Sequence, residues 1–254
     1  MKRLLATVLI TLIGMALMSP SAMAQPGIEP VKIIENEVLL DQQALYDRAK
    51  KGISDIEVVP QTTMLIDPNS KNAIELDVIS TTQLQKEIHY SDGQIEKKYV
   101  TANFAVVANG DIDTLINASM NPVTSQDITI LSVGNKWDPS ISVRAYSVVY
   151  WSYYGSNVQI DYVTGGWENT DSTRVGIKDR RVTLGQVDPN HQNQSQYFYP
   201  TGDAFTIYRP STWQPVWNNG ATVMGCTSKA TLYRTNNPSS NWELELSNNL
   251  TLPQ

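Results

Sequence analysis

The sequence predicts an all-β fold, an antiparallel β-sandwich or two packed sheets, with one short amino-terminal helix at about 41–51. Three observations carry this reading. Short runs of alternating apolar and polar residues recur along the chain, divided by turn clusters. The stretch from Ile141 to Tyr154 sets Ile141, Val143, Ala145, Val149 and Trp151 on one strand face, and Arg144, Tyr146, Val148 and Tyr150 on the other. Helical periodicity with capping residues is confined to one short segment.

Residues 1–24 are expected to be a cleaved signal peptide. Met1-Lys2-Arg3 is a basic start, Leu4 to Met18 is apolar, and Ala22-Met23-Ala24 is a small-x-small site, so cleavage after Ala24 would leave Gln25 as the first residue. The apolar run is shorter than the roughly 20 residues of a spanning helix, so no stable membrane insertion is expected after cleavage. Loss of Lys2 and Arg3 lowers Lys+Arg from 19 to 17 against 25 acids, a net charge near −8. Such an acidic chain is a poor match for nucleic acid or anionic lipid. Cys226 is the single cysteine, so the fold relies on its core, and a buried inert thiol is expected.

Residues 25–35 read as an extended lead-in. In the helix that follows, Asp41 fits the N-cap, Leu40 and Leu45 fit a hydrophobic staple, Lys50 and Lys51 suit the carboxyl end, and Gly52 closes it. Ile56 to Val59 and Thr62 to Ile66 read as short strands, the second stopped by Asp67-Pro68-Asn69-Ser70. A strand through Ile74, Leu76 and Val78 runs on toward Ile88. It turns at Ser91-Asp92-Gly93 and returns with Val100, Ala102, Phe104 and Val106 on one face. Asp111 to Met120 fits either a short helix or an irregular crossing, and Ile128 to Val133 fits a strand. After Tyr154, Val158, Ile160 and Tyr162 alternate as a return strand, which Gly165-Gly166 is expected to interrupt. Short segments follow around Val175–Ile177 and Val182–Leu184, then a polar loop from Asp188 to Gln196 and short strands at 197–199 and 205–208. A hairpin of 221–234 with 242–250 ends the chain, with Trp242, Leu244 and Leu246 inward.

All six Trp lie at or after Trp137. That asymmetry fits an amino-terminal lobe over 25–135 and an aromatic-rich lobe over 136–254, or one continuous domain over 25–254. Within the second half, Tyr162 to Trp167 (YVTGGW), an Asp-containing turn, and Arg181 to Gln186 (RVTLGQ) resemble a pattern in uncharacterised secreted β-rich proteins of Gram-positive bacteria. The resemblance covers 141–186. It implies export and an all-β module, and it carries no catalytic residue.

Routine catalytic signatures are absent: there is no G-x-S-x-G, H-E-x-x-H, C-x-x-C or phosphate-binding Gly loop. His89 and His191 are the only histidines, and both read as turn or loop residues. Asn109 to Asp113 lacks the Gly and distal Glu of a calcium loop, so no metal or other cofactor is expected. Glu168 and Asp171, just after Trp167, are the candidate catalytic pair, because glycoside chemistry needs two carboxylates at a set separation. Acids in turns equally serve to cap backbone amides. Tyr150, Tyr153, Tyr154 and Trp167 are the candidate ligand-binding residues, a platform for sugar rings, although alternating aromatics also fill sandwich cores. The expected function is a secreted, non-catalytic protein binding a glycan or an envelope protein at or outside the cell envelope. The alternative is a carbohydrate-binding module or glycan-active enzyme.

Overall fold

Alternating strands with one apolar face each must bury that face, and here a single sheet does so by curling onto itself. The computed structural model describes residues 28–120, 129–130, 141–188, 192–250 and 252. The expected leader, Trp137, His191 and the 135/136 boundary lie outside them.

The strands are β1 (Pro30–Glu35), β2 (Gln61–Ile66), β3 (Asn72–Tyr90), β4 (Ile95–Ala108), β5 (Thr129–Ile130), β6 (Ile141–Tyr154) and β7 (Asn157–Asn169). Then come β8 (Val175–Asp188), β9 (Gln192–Phe198), β10 (Ala204–Tyr208), β11 (Val216–Trp217), β12 (Val223–Arg234) and β13 (Asn237–Asn249). The main path through the sheet is β10-β7-β6-β4-β3-β2-β13-β12-β8-β9, with β1 and β5 on β3 and β11 on β7. Among the described residues every pairing is antiparallel except β3 with β5. The predicted all-β class with a short helix is therefore observed, with its two layers formed by halves of one sheet.

The corner between the halves is narrow: the backbone ladder joins β13 to β2 only at Glu243↔Ile66 and Leu244↔Leu65, and beyond it Thr63 Oγ1 donates to Glu245 O and Gln61 Nε2 to Asn249 O at 3.2 Å. Beyond it the halves face each other, β13 across β4 and β6, β12 across β6 and β7, and β8 across β7. The enclosed core includes Val143, Val149, Trp151, Trp167, Leu184, Leu232, Trp242, Leu244 and Leu246. Trp151 is fully buried, stacks on Tyr99 at 4.5 Å, and donates Nε1–H to Thr101 Oγ1 at 3.0 Å. Asn248 on β13 reaches across the interior, its amide nitrogen donating to the carbonyls of Thr101 (3.1 Å) and Ser147 (2.9 Å). At the opposite seam the Gln186 side chain accepts from Ile160 N at 3.0 Å and donates to Gln214 O at 2.7 Å. Burial pushes the Cys226 thiol up to about 12, which keeps it protonated and unreactive.

Helix α1 (Gln42–Lys50) lies on the outer side, over β3 and β4. Asp41 caps it by accepting from Ala44 N at 2.9 Å. Gly52, at φ +66, ends it in a Schellman arrangement, with Gly52 N to Ala49 O and Ile53 N to Arg48 O. Leu45 and Ala49 bury against Val100, Ala102, Phe104 and Val148. The expected staple is absent: Leu45 is buried while Leu40 points to solvent. The segment from Asn109 to Met120 is a helix, α2, and Asp111 supports its start by accepting from Ala108 N at 2.8 Å.

Four local expectations are corrected. Gly165-Gly166 does not interrupt the strand; it stays paired to Ser147 and Tyr146. Glycine is needed there for close approach, since a Cβ on Gly165 would lie 2.4 Å from the Phe205 ring and one on Gly166 would lie 2.2 Å from Asp203 O. Val175 to Asp188 is one strand, because a bulge absorbs the misfit: Asp179 and Arg180 stand opposite Ala230 alone, with Asp179 at φ +51. Within the polar run before Tyr197, residues 192–196 belong to β9, an edge strand with no apolar period because little of it is covered. Residues 56–59 are irregular instead of forming a strand, and Ile56, Glu57 and Val58 line a cavity.

Two substitutions follow from this packing. Trp151→Ala should cost about 3–5 kcal/mol as a large cavity, and Gly166→Ala about 1–3 kcal/mol through overpacking. Denaturant midpoints beside the parent protein check both. A Gly166→Ala midpoint equal to the parent's would show that the Asp203 backbone gives way freely.

Candidate outer-face binding site

The side of the β4–β6–β7 layer that faces away from the core is only half covered. Helix α1 takes one end, where Arg144 and Glu168 form a cross-strand pair. The Arg144 guanidinium lies 4.6 Å from the centre of the Tyr46 ring. Its Nε donates to Glu168 Oε2 at 2.9 Å, its Nη2 to the same oxygen, and its Nη1 to Gln43 Oε1 at 2.9 Å. Gln42 Nε2 also donates to Glu168 Oε2 at 3.3 Å. Glu168 is therefore a docking residue for the helix.

Asp171 is engaged in the next turn. It accepts from Thr173 Oγ1 at 3.0 Å and lies 3.7 Å from an Arg174 nitrogen. The two candidate carboxylates thus sit in separate structural bonds rather than facing a shared gap.

The four candidate aromatics are divided as well. Trp167 lies in the core at 1% exposure, and Tyr153 packs partly buried on the same core. Tyr154 is buried on the outer side, edge-on to Tyr90 at 5.5 Å. Tyr150 is half-buried on the outer face. A single platform of these four does not form, because strand alternation sends neighbours to opposite faces.

A different aromatic row occupies the outer face. Tyr150 stacks on Tyr162 at 4.0 Å, and Tyr162 lies 5.6 Å from Tyr208 of β10. The expected phase of the return strand fails here. Tyr150 pairs with Tyr162 and Trp151 with Ile160, so Asp161 is an extra residue. That bulge keeps Val158 and Ile160 in the core, brings Val163 in after them, and turns Tyr162 outward. Tyr208 closes the row and is 59% exposed. Further along the same edge, β11 pairs Val216 with Val158 and Trp217 with Asn157. Val216 is buried, so Trp217 faces outward and is 48% exposed.

A polar strip, closed to solvent at Ser152, Gln159 and Glu96, runs across β4, β6 and β7 on this side. Asp161 accepts from Ser152 Oγ at 2.7 Å and from Gln159 Nε2 at 3.4 Å. Glu96 is fully buried, accepts from Tyr90 O–H at 2.6 Å, and has Lys98 Nζ 3.5 Å away. Burial holds the Asp161 carboxyl above the usual carboxylate range, opposed by the Ser152 hydrogen bond and the charge of Lys98. The charge of Asp161 in turn opposes the downward effect of burial on Arg209.

A cavity of about 560 Å³ lies elsewhere, between residues 52–60 and β3. Asp55 on its wall is already paired with Arg48 and accepts from Leu84 N. Among the described residues no group of three or more His, Cys, Asp or Glu could hold a metal ion. Comparison with known protein families, curated proteins and solved structures finds no match.

Because burial raises Asp161, its ionisation weakens the fold as pH rises from the unfolded value, near 3.8, through the higher folded value. Asp161→Asn should therefore raise the denaturation midpoint at neutral pH and leave it unchanged below about pH 4. Midpoints measured from pH 3 to 8 check the sign, with Lys98, Glu96 and Arg209 left intact.

Proposed function

We propose that the protein is exported by its amino-terminal leader and acts outside the membrane as a non-catalytic binding protein, with its ligand on the outer face of β7. The exposure of Trp217 and Tyr208 on one face carries this reading. Trp and Tyr are the side chains that most often anchor interfaces, since they supply large area at little conformational cost.

Three further features support it. Residues 1–24 have the basic, apolar and small-residue order of a leader. No helix among the described residues is long and apolar enough to cross a membrane. The carboxylates best placed in sequence for glycoside chemistry, Glu168 and Asp171, are engaged by Arg144 and Thr173.

The test is retention of the purified protein on isolated cell envelopes. Trp217→Ala should weaken retention roughly thirtyfold, from about 2 kcal/mol for a central aromatic anchor, with an unchanged circular dichroism spectrum. Retention untouched by Trp217→Ala and by Tyr208→Ala would overturn the site. Hydrolysis of envelope material by the parent protein would overturn the non-catalytic role. Amino-terminal sequencing of the exported chain should begin at Gln25; a start at Met1 in the membrane fraction would refute the leader.

A further inference from the structure

The chain holds two Asn-Gly pairs, Asn109-Gly110 and Asn219-Gly220. In such a pair the glycine nitrogen can close a five-membered ring on the preceding side-chain amide, because glycine has no side chain to obstruct the approach. Ring closure needs a nitrogen free of other bonds, room around it and a backbone that is not held helical. The fold grants these to one pair and denies them to the other.

Asn109 and Gly110 open helix α2, and Thr114 Oγ1 donates to Gly110 O at 2.8 Å one turn on. That turn must unwind before a ring can form there. Gly220 stands in the connection between β11 and β12, exposed and at φ +78. No atom lies within 4 Å of the place a Cβ on it would take. Its N–H has no hydrogen-bond partner among the described residues.

The Asn219 amide is held at both ends. Its Oδ1 accepts from Ala221 N at 3.1 Å, which draws electrons from Cγ and steadies the charge that attack would gather on that oxygen. Its Nδ2, the leaving nitrogen, donates to Asp188 Oδ1 at 3.2 Å.

We propose that Asn219 is a self-modification site, where the folded protein converts the amide to aspartate and isoaspartate. Gly220 N gives up its proton to solvent and bonds to Asn219 Cγ. The Cγ–Nδ2 bond breaks, and Nδ2 takes a proton from solvent and leaves as ammonia. Water then opens the ring. Cleavage at Cγ gives aspartate; cleavage at the main-chain carbonyl gives isoaspartate, with the chain running through the former side chain. The sum is amide plus water to carboxylate plus ammonium.

In the aspartate form a carboxylate oxygen replaces the donor that faced Asp188, which is buried, so a hydrogen bond becomes a like-charge contact. In the isoaspartate form the amide nitrogen is gone and the main chain is longer. Either way the connection loses its tie to β8. The same connection carries Trp217, whose carbonyl accepts from Thr222 Oγ1 at 2.6 Å. Modification therefore loosens the support of Trp217, once and without return, whether or not that ring meets a ligand.

The test is incubation of the purified protein at mildly alkaline pH, folded and in denaturant, followed by peptide mass spectrometry. Conversion adds about 1 Da at the modified residue, and enzymatic methyl transfer to isoaspartate marks the isomer. In the folded protein residue 219 should convert at least roughly tenfold faster than residue 109, which must wait for its helix to open. In denaturant that advantage should vanish. Asn219→Gln should remove most of the ammonia released by the folded protein, and Asn109→Gln little of it. Asn219→Asp should lower the denaturation midpoint at neutral pH. No conversion at residue 219, or equal or faster conversion at residue 109 in the folded protein, overturns the site. An Asn219→Asp midpoint equal to the parent's overturns the loosening.

Discussion

The structure depends on closing one sheet around a corner made of two residue pairs, Glu243↔Ile66 and Leu244↔Leu65. Ladder hydrogen bonds at that corner are too few to fix the angle between the halves. The angle is set by what lies between them: interlocking Trp151, Trp167 and Trp242, and polar side chains that span the gap. Asn248 is central among these, since its donors fall on the carbonyls of two different strands, β4 and β6. Apolar packing tolerates sliding, whereas such a bridge is satisfied at one setting only. Gln186 and Gln214 perform the same task at the open seam, where Trp213 is inserted into the core.

Closure of the inner faces also decides what happens outside. Strands β4, β6 and β7 present apolar residues on both sides, so part of the outer face needs cover. Helix α1 supplies it and is held there by Leu45, by Ala49 and by the Arg144–Glu168 pair. Its length of nine residues is too short to reach the far end of β7. That end is finished by tyrosines stacked on each other and by a hydrogen-bonded polar strip. The exposed rings are thus a product of where the helix stops.

Much of this was legible in the chain. The alternation from Val143 to Trp151 sorted that strand correctly, with Trp151 inside and Tyr146, Val148 and Tyr150 outside, because no bulge interrupts it on the β4 side. Asp41 and Gly52 marked the ends of α1. Failures cluster where local pattern was overruled. Bulges at Asp161 and Asp179 reverse the phase of their strands, and neither carries a glycine or proline to announce it. Gly165-Gly166 reads as punctuation, yet it serves contact with Phe205 and Asp203. Glu168 reads as a free acid because its partner, Arg144, is brought opposite only by the β6–β7 register. Trp217 and Tyr208 do not stand out in the sequence for a related reason: exposure of an edge-strand side chain depends on what fails to cover it, and sequence does not display that.

The passage from β9 to β10 has an effect beyond geometry. These strands are the two ends of the sheet path, and only residues 199–203 join them. The two termini of the ladder are therefore within roughly 20 Å at that point, the most that such a short link can span. Arg180 on β8 is paired to Asp203 across the same link. An ordinary curled sheet offers its terminal strands to other molecules as templates for fibre growth. Here each terminus is tethered beside the other, and β10 has only five residues, which shortens the free edge. The chain thereby blunts its own capacity to polymerise, a property of value to any protein that must stay dispersed at high local concentration.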